Sequence, residues 1–155
     1  MNPFPQLSGV VIMALAVSVS NVVQAADEAP AFKVIEVQQS GGFAGVQITY
    51  RITPDGKFRR KSGQGLLKSQ LDAADTAGLS KAVAAINWET LPPRLRDPNV
   101  ADDFLYDMHF VVGKQTHRVM ADGVSAEKNA QLKPILKILQ KIQRQPVNKK
   151  KRSDR

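Results

Sequence analysis

The sequence predicts an α+β fold, an antiparallel β-sheet of about five strands with two main helices packed on one face. Three observations carry that expectation. Val46 to Ile52 alternates apolar and polar side chains, and Phe104, Tyr106, Met108, Phe110 and Val112 fall at every second position, the period-two pattern of half-buried strands. Thr53-Pro54-Asp55-Gly56 and Gly113-Lys114 punctuate those runs, with proline pre-setting the first turn angle and glycine accepting a positive φ. Leu79, Ala82, Val83 and Ile86, and later Leu132, Ile135, Ile138, Leu139 and Ile142, recur at helical spacing.

The elements follow in the order βββ-α-ββ-α. Phe32 to Val37 is a short β-rich segment, and Ser40 to Gly45 interrupts it with three glycines in six residues. After the strand Val46 to Ile52 and its turn, Lys57 to Lys61 returns as an edge or solvent-facing strand, basic apart from Phe58. Ser62 to Gly65 reads as a flexible connection. Asp72 offers an N-cap to a helix near 73–86, with Asp75 placed where the macrodipole favours negative charge. Gly78 weakens that helix. Trp88, Leu91 and the Pro92-Pro93 pair end it and fold back onto the core.

Arg94 to Asp102 reads as a polar loop. Phe104, Tyr106, Met108, Phe110 and Val112 then form one side of a long strand, and Thr116 to Ala121 returns from the Gly113-Lys114 turn. Trp88, Phe104, Tyr106, Met108, Phe110 and Val119 are assigned to the core. Ser125 can cap a last helix running through Ile142. Pro134 inside that pattern requires either a kink or a helix that starts near Lys133.

The 155 residues carry 22 Lys+Arg against 14 Asp+Glu, a formal net charge of +8, and no cysteine. The missing cysteine excludes a disulfide scaffold, a thiol nucleophile, a thiolate zinc site and a lipidated N-terminal Cys. Charge is unevenly placed. Residues 1–25 hold no charged side chain, and Leu7 to Val23 is mostly apolar. The run falls short of the ~20 apolar residues that a spanning helix wants, and Val23 and Ala25 are the small residues signal peptidase accepts. The segment reads as a signal peptide cleaved after Ala25, for a periplasmic or secreted protein; an uncleaved N-terminal anchor is the competing reading. Residues 26–143 then form the single domain, and 144–155 a basic, disordered tail. That tail holds Arg144, Lys149, Lys150, Lys151, Arg152 and Arg155 against Asp154. It is either a solvated, solubilising end or an arm for polyanions, with Lys149, Lys150, Lys151 and Arg152 as the contacts. The part before it is only mildly basic, which argues against specific nucleic-acid binding.

Catalytic constellations are not evident. A two-residue turn at Gly113-Lys114 pairs Phe110 with His117, placing His117 on the core side and His109 on the other; a three-residue turn would set the two histidines opposite each other as a conceivable metal pair. Asp102, Asp103 and Asp107 form an acidic cluster readable as paired carboxylates, or as a solvated face or strand-end cap. No serine lies in a nucleophile-elbow sequence. The glycine stretch leads into a strand, whereas phosphate-cradling loops lead into a helix. The chain reads as a non-enzyme with no cofactor and no metal.

Ser40, Gly41, Gly42, Phe43, Ala44 and Gly45 are the residues that most resist an ordinary hairpin explanation. A wide hairpin needs one or two glycines rather than three flanking an apolar Phe43, and an apolar side chain on a loop tip is a binding device. This string, set between a valine-rich and an alternating strand and followed by Asn87-Trp88, Leu91-Pro92 and Asp103-Phe104 with Tyr106, resembles the emfourin family over about residues 32–143. Emfourins are small protein inhibitors of thermolysin-like (protealysin-type) zinc metallopeptidases. The resemblance implies that the glycine hairpin blocks the enzyme's cleft, with Phe43 entering the pocket for the residue just after the scissile bond. It implies no zinc bound by the inhibitor itself. Arg94 or Arg96, with the acidic loop, would rim the interface. The chain departs from the family in its export signal, its 94–102 loop and its basic tail. The alternative is a periplasmic or secreted module that binds polyanions or the envelope through Lys149 to Arg152.

Overall fold

The computed structural model describes residues 30–42, 44–101 and 103–147. The signal segment 1–25 with its cleavage point, Phe43, Asp102, and the basic residues Lys149, Lys150, Lys151 and Arg152 lie outside the described residues.

The fold is α+β, with seven strands and three helices among the described residues where about five and two were expected. The strands are β1 (Val34–Gly41), β2 (Val46–Ile52), β3 (Lys57–Ser62), β4 (Gly65–Gln70), β5 (Arg94–Leu95), β6 (Phe104–Val112) and β7 (Gln115–Asp122). They form one sheet in the order β4-β3-β2-β1-β6-β7-β5. Every pairing is antiparallel except that of β5, which runs parallel to β7 and makes the sheet mixed. The helices are α1 (Ala73–Ala84), α2 (Gly123–Lys128) and α3 (Lys133–Gln143).

Four local readings need correction. Ser62 to Gly65 is a two-residue hairpin turn, with Ser62 opposite Gly65, and the chain continues as β4. Because β4 is an edge strand, only Leu67 of its six residues is buried, so its alternation is faint. Strand β3 is therefore not an edge; it is flanked by β2 and β4. Two residues of the 94–102 loop pair as β5. The last helical region is two helices, α2 and α3. Asp122 rather than Ser125 caps the first, its carboxylate accepting the Ser125 N–H at 2.7 Å. Pro134 stands in the first turn of α3, where its missing N–H costs nothing.

The register places all inward side chains on one face. Ile35, Val37 and Gln39 of β1 lie beside Ile52, Tyr50 and Ile48 of β2 on one side and Phe110, Met108 and Tyr106 of β6 on the other. Phe58 and Arg60 extend the face onto β3, and Val119 and Ala121 onto β7. Leu79 and Val83 of α1 and Ile135, Leu136, Leu139 and Ile142 of α3 close over it in one hydrophobic core. The Asp72 carboxylate accepts the Asp75 N–H at 2.7 Å as the α1 N-cap, and Lys141 of α3 ion-pairs with both carboxylates, tying the two helices together. Beyond α3, Arg144 and Gln145 donate their N–H groups back to Gln140 and Ile142, and Val147 still packs on the core.

One inward residue is a cation. Arg60 is 3% exposed, and its Nη1 donates to the carbonyls of Ile142 (2.8 Å) and Gln143 (2.6 Å). Those are last-turn carbonyls that a helix cannot satisfy itself, and positive charge suits that end of the macrodipole. Removing Arg60 takes the guanidinium donor from the Gln143 carbonyl and leaves the Ile142 carbonyl with the Gln145 N–H. Arg60→Met should lower the unfolding free energy by about 2–3 kcal/mol in urea titration, whereas Arg59→Met on the exposed side of the same strand should move it by less than about 0.5 kcal/mol.

Candidate functional site

The glycine hairpin begins where the β1–β2 ladder ends, at Gly41 opposite Val46. Its turn is closed by the Gly45 N–H donating to the Gly42 carbonyl at 3.0 Å. Gly41, Gly42 and Gly45 have φ of 99°, 69° and 59°, the left-handed region that glycine enters without cost. Two of the three also face a wall. A Cβ on Gly41 would stand 2.9 Å from the Asp103 carbonyl oxygen, and one on Gly42 would stand 2.9 Å from the Phe104 ring. A Cβ on Gly45 would meet nothing within 4 Å. The β1 end is thus pressed onto the start of β6, which gives Gly41 and Gly42 a structural reason of their own.

Several loops gather at this end of the sheet. The Gly63-Gln64 turn of β3–β4, the stretch that follows β5 and the start of α2 all lie here, as the pairings of Ser62 with Gly65, Leu95 with Ala121, and Leu105 with Asp122 require. Two depressions flank the tip. One of about 440 Å³ runs between Ala44–Ile48 and Ser62–Gln64, with Arg60 and Gln143 at its floor. The other, about 270 Å³, is lined by Gln39, Asp103, Phe104, Tyr106 and the start of α2.

Carboxylates fix these loops in place. Asp103 accepts the N–H of Phe104 (2.7 Å) and of Val124 (2.8 Å). Asp122, 6% exposed, accepts Ser125 N–H through one oxygen and Asp97 N–H through the other, at 2.7 and 2.6 Å. Burial alone would push the Asp122 carboxyl up, but the two N–H groups outweigh it and hold the pKa below the usual carboxylate value. Asp97 is lowered by the Asn99 N–H first and then by Lys128. Burial, reinforced by Asp103 and Glu127, pushes the Tyr106 hydroxyl up to about 12. Tyr50, raised further by burial, donates to Gln39 Oε1 at 2.8 Å.

The remaining candidates take structural roles. Gly113-Lys114 is a two-residue turn, with Phe110 opposite His117 and His109 opposite Arg118. His117 stacks on Trp88 with ring centroids 4.2 Å apart, and Trp88 tilts onto Phe110 at 5.2 Å. Asp107 takes Arg118 with both carboxylate oxygens, at 2.9 and 2.7 Å, and His109 at 3.2 Å. Asp103 and Asp107 are therefore a loop anchor and a surface ion pair rather than a paired acid and base. Among the described residues, no three His, Asp or Glu side chains converge as a metal site. Arg94 and Arg96 reach the same end of the sheet from β5, which stands three strand positions from β1, or about 14 Å at the usual strand spacing. Phe104 and Arg60 belong to the surroundings of the tip and were not marked as such by the sequence. The signal for Arg60 was its place in the alternation with Phe58.

No model of a known protein family matches the chain, and no curated protein matches it.

The two kinds of glycine predict different costs. Gly41→Ala meets both a left-handed φ and a backbone wall and should destabilise by about 2 kcal/mol or more, while Gly45→Ala meets only the φ and should cost about 1 kcal/mol. Chemical denaturation of the two variants checks the order. Asp122→Ala should cost about 2 kcal/mol at pH 7. Because the folded-state pKa of Asp122 is depressed, its contribution is present above the unfolded value near ~3.9 and is lost as pH falls through the lower folded value. The gap between wild type and Asp122→Ala should therefore narrow on acidification below about pH 4.

Proposed function

We propose that the chain is an exported inhibitor of thermolysin-like zinc metallopeptidases and acts by inserting the tip Ser40–Gly45 into the enzyme's cleft. The observation that carries this reading is the tip itself, a hairpin end with three left-handed glycines around Phe43, braced against Asp103 and Phe104. The resemblance of that string and its flanking elements to the emfourins supplies the enzyme class. Bracing favours such a role because a loop already held in shape loses less freedom on binding. The glycines remove side chains that would keep the main chain away from a partner strand, so amides and carbonyls can pair across the cleft. Phe43 is the apolar anchor for the pocket that follows the scissile bond. Inhibition on this reading is occlusion, and it asks for no chemistry and no metal from the inhibitor.

The test is a titration of residual peptidase activity with the mature protein. Thermolysin-like enzymes should lose activity at micromolar inhibitor or below, and Phe43→Ala should raise the inhibition constant by about 2 kcal/mol, roughly thirtyfold. A full-length, folded protein that leaves these enzymes active at micromolar concentration would remove the reading. An unchanged constant for Phe43→Ala would remove Phe43 from it.

A further inference from the structure

The sheet has a second face, and it is basic. With α1 and α3 packed on the inward face, the outward side chains of β1 to β4 are left exposed. Register aligns them into rows across the strands. Lys68, Arg59, Arg51 and Glu36 stand abreast on β4, β3, β2 and β1. The next row, two residues along, holds Leu66, Lys61, Thr49 and Gln38.

Pairing uses up only part of this charge. Glu36 takes Arg51, Asp55 takes Lys57, and Asp107 takes Arg118. Among the described residues, Arg59, Lys61 and Lys68 have no carboxylate partner. Arg59 lies directly between Arg51 and Lys68, and like charges opposite one another weaken a sheet. A lysine on an edge strand guards against edge-to-edge pairing, which accounts for Lys68. It does not account for Arg59 and Lys61 on the interior strand β3. An open groove of about 690 Å³ runs over this region, lined by Arg51, Lys57, Arg59, Lys68, Thr53, Ser69 and Phe58, whose side chain is buried.

We propose that this face binds an acidic polysaccharide, a chain of sugars bearing carboxylate or sulfate groups. The guanidinium of Arg59 and the ammonium groups of Lys61 and Lys68 would meet the anions. Thr53 would meet a sugar hydroxyl. Charge alone fits other polyanions, and what decides between them is what the face lacks. Among the described residues, the only large hydrophobic side chain that is exposed is Leu66. Bases of single-stranded nucleic acid bind by stacking on aromatic side chains, and bilayer surfaces are held by a buried apolar face as well as by charge. A polar, hydroxyl-rich anionic chain needs neither.

A heparin-derived dodecasaccharide is the probe, titrated calorimetrically into the full-length protein at several salt concentrations. Affinity should fall with rising salt, with a log–log slope of about −2 from three contacts. The triple variant Arg59→Gln, Lys61→Gln, Lys68→Gln should bind at least tenfold more weakly at physiological salt and show a shallower slope. It should also melt no lower than wild type, since it relieves repulsion. A second full-length variant, with Lys149, Lys150, Lys151 and Arg152 all changed to Gln, should keep most of the affinity. Three results would overturn the proposal: no binding by the wild type, equal binding by the triple variant, or tighter binding of an oligothymidylate or of anionic vesicles through the same three residues.

Discussion

Strands β1 and β6 pair residue for residue, from Val34 opposite Val111 to Gly41 opposite Phe104, and the rest of the molecule is arranged around that ladder. The two strands are far apart in sequence, so their pairing is a non-local contact that must overcome a long loop closure. Once it is made, its register leaves little free. It sets Ile35, Val37 and Gln39 on the inward side with Phe110, Met108 and Tyr106. It brings the end of β1 against Asp103 and Phe104, and so demands glycine at 41 and 42. It also gives the two hairpins β1–β2 and β6–β7 a common inward face, against which α1 and α3 bury their apolar sides. A slip of one residue would turn every inward side chain outward.

Much of this was legible because short-range chemistry and long-range packing agreed. The alternation of Val46–Ile52 and of Phe104–Val112, the two-residue turn at Gly113-Lys114, the Asp72 cap and the start of α3 beside Pro134 are each local signals that the tertiary structure uses unchanged. What escaped depended on partners remote in sequence. Strand β4 places Leu66 and Leu67 side by side and buries only the second, so its pattern is hidden until β3 is there to pair with it. Strand β5 has two residues and exists only as a rider on β7. Arg60 looks like one more solvated cation in a basic strand, because the carbonyls it satisfies belong to a helix 82 residues away. Ser125 and Asp122 are both competent caps; the second prevailed because its other oxygen also receives the Asp97 N–H. At the tip, the three glycines were visible in the sequence, but the walls behind two of them were not.

Charge on this sheet has two distinct uses that composition cannot separate. Arg60 faces inward and is tied to the end of α3, while its neighbours Arg59 and Lys61 face outward. A basic stretch of five residues thus contributes to the interior and to the surface by simple alternation. The tip and the outward face adjoin, since Gly45 and Lys61 line one depression. Arg59 and Lys68 lie further along β3 and β4, away from the end of the β1–β2 ladder.

The two borders of the sheet also bear on how the protein behaves in crowded solution. A bare strand edge is an open template on which another chain can add and fibrillar stacking can start. Here one border is β4, where Lys68, Ser69 and Gln70 are exposed along with Leu66, and Leu67 is buried. The other is β5, two residues beside Met120 and Ala121, and then the rest of β7, where Gln115, Thr116 and Arg118 are exposed. Neither offers a long apolar ladder for a second molecule to extend. In a chain with no cysteine to crosslink it, the side chains along these borders are mostly polar, which disfavours strand addition by a second molecule.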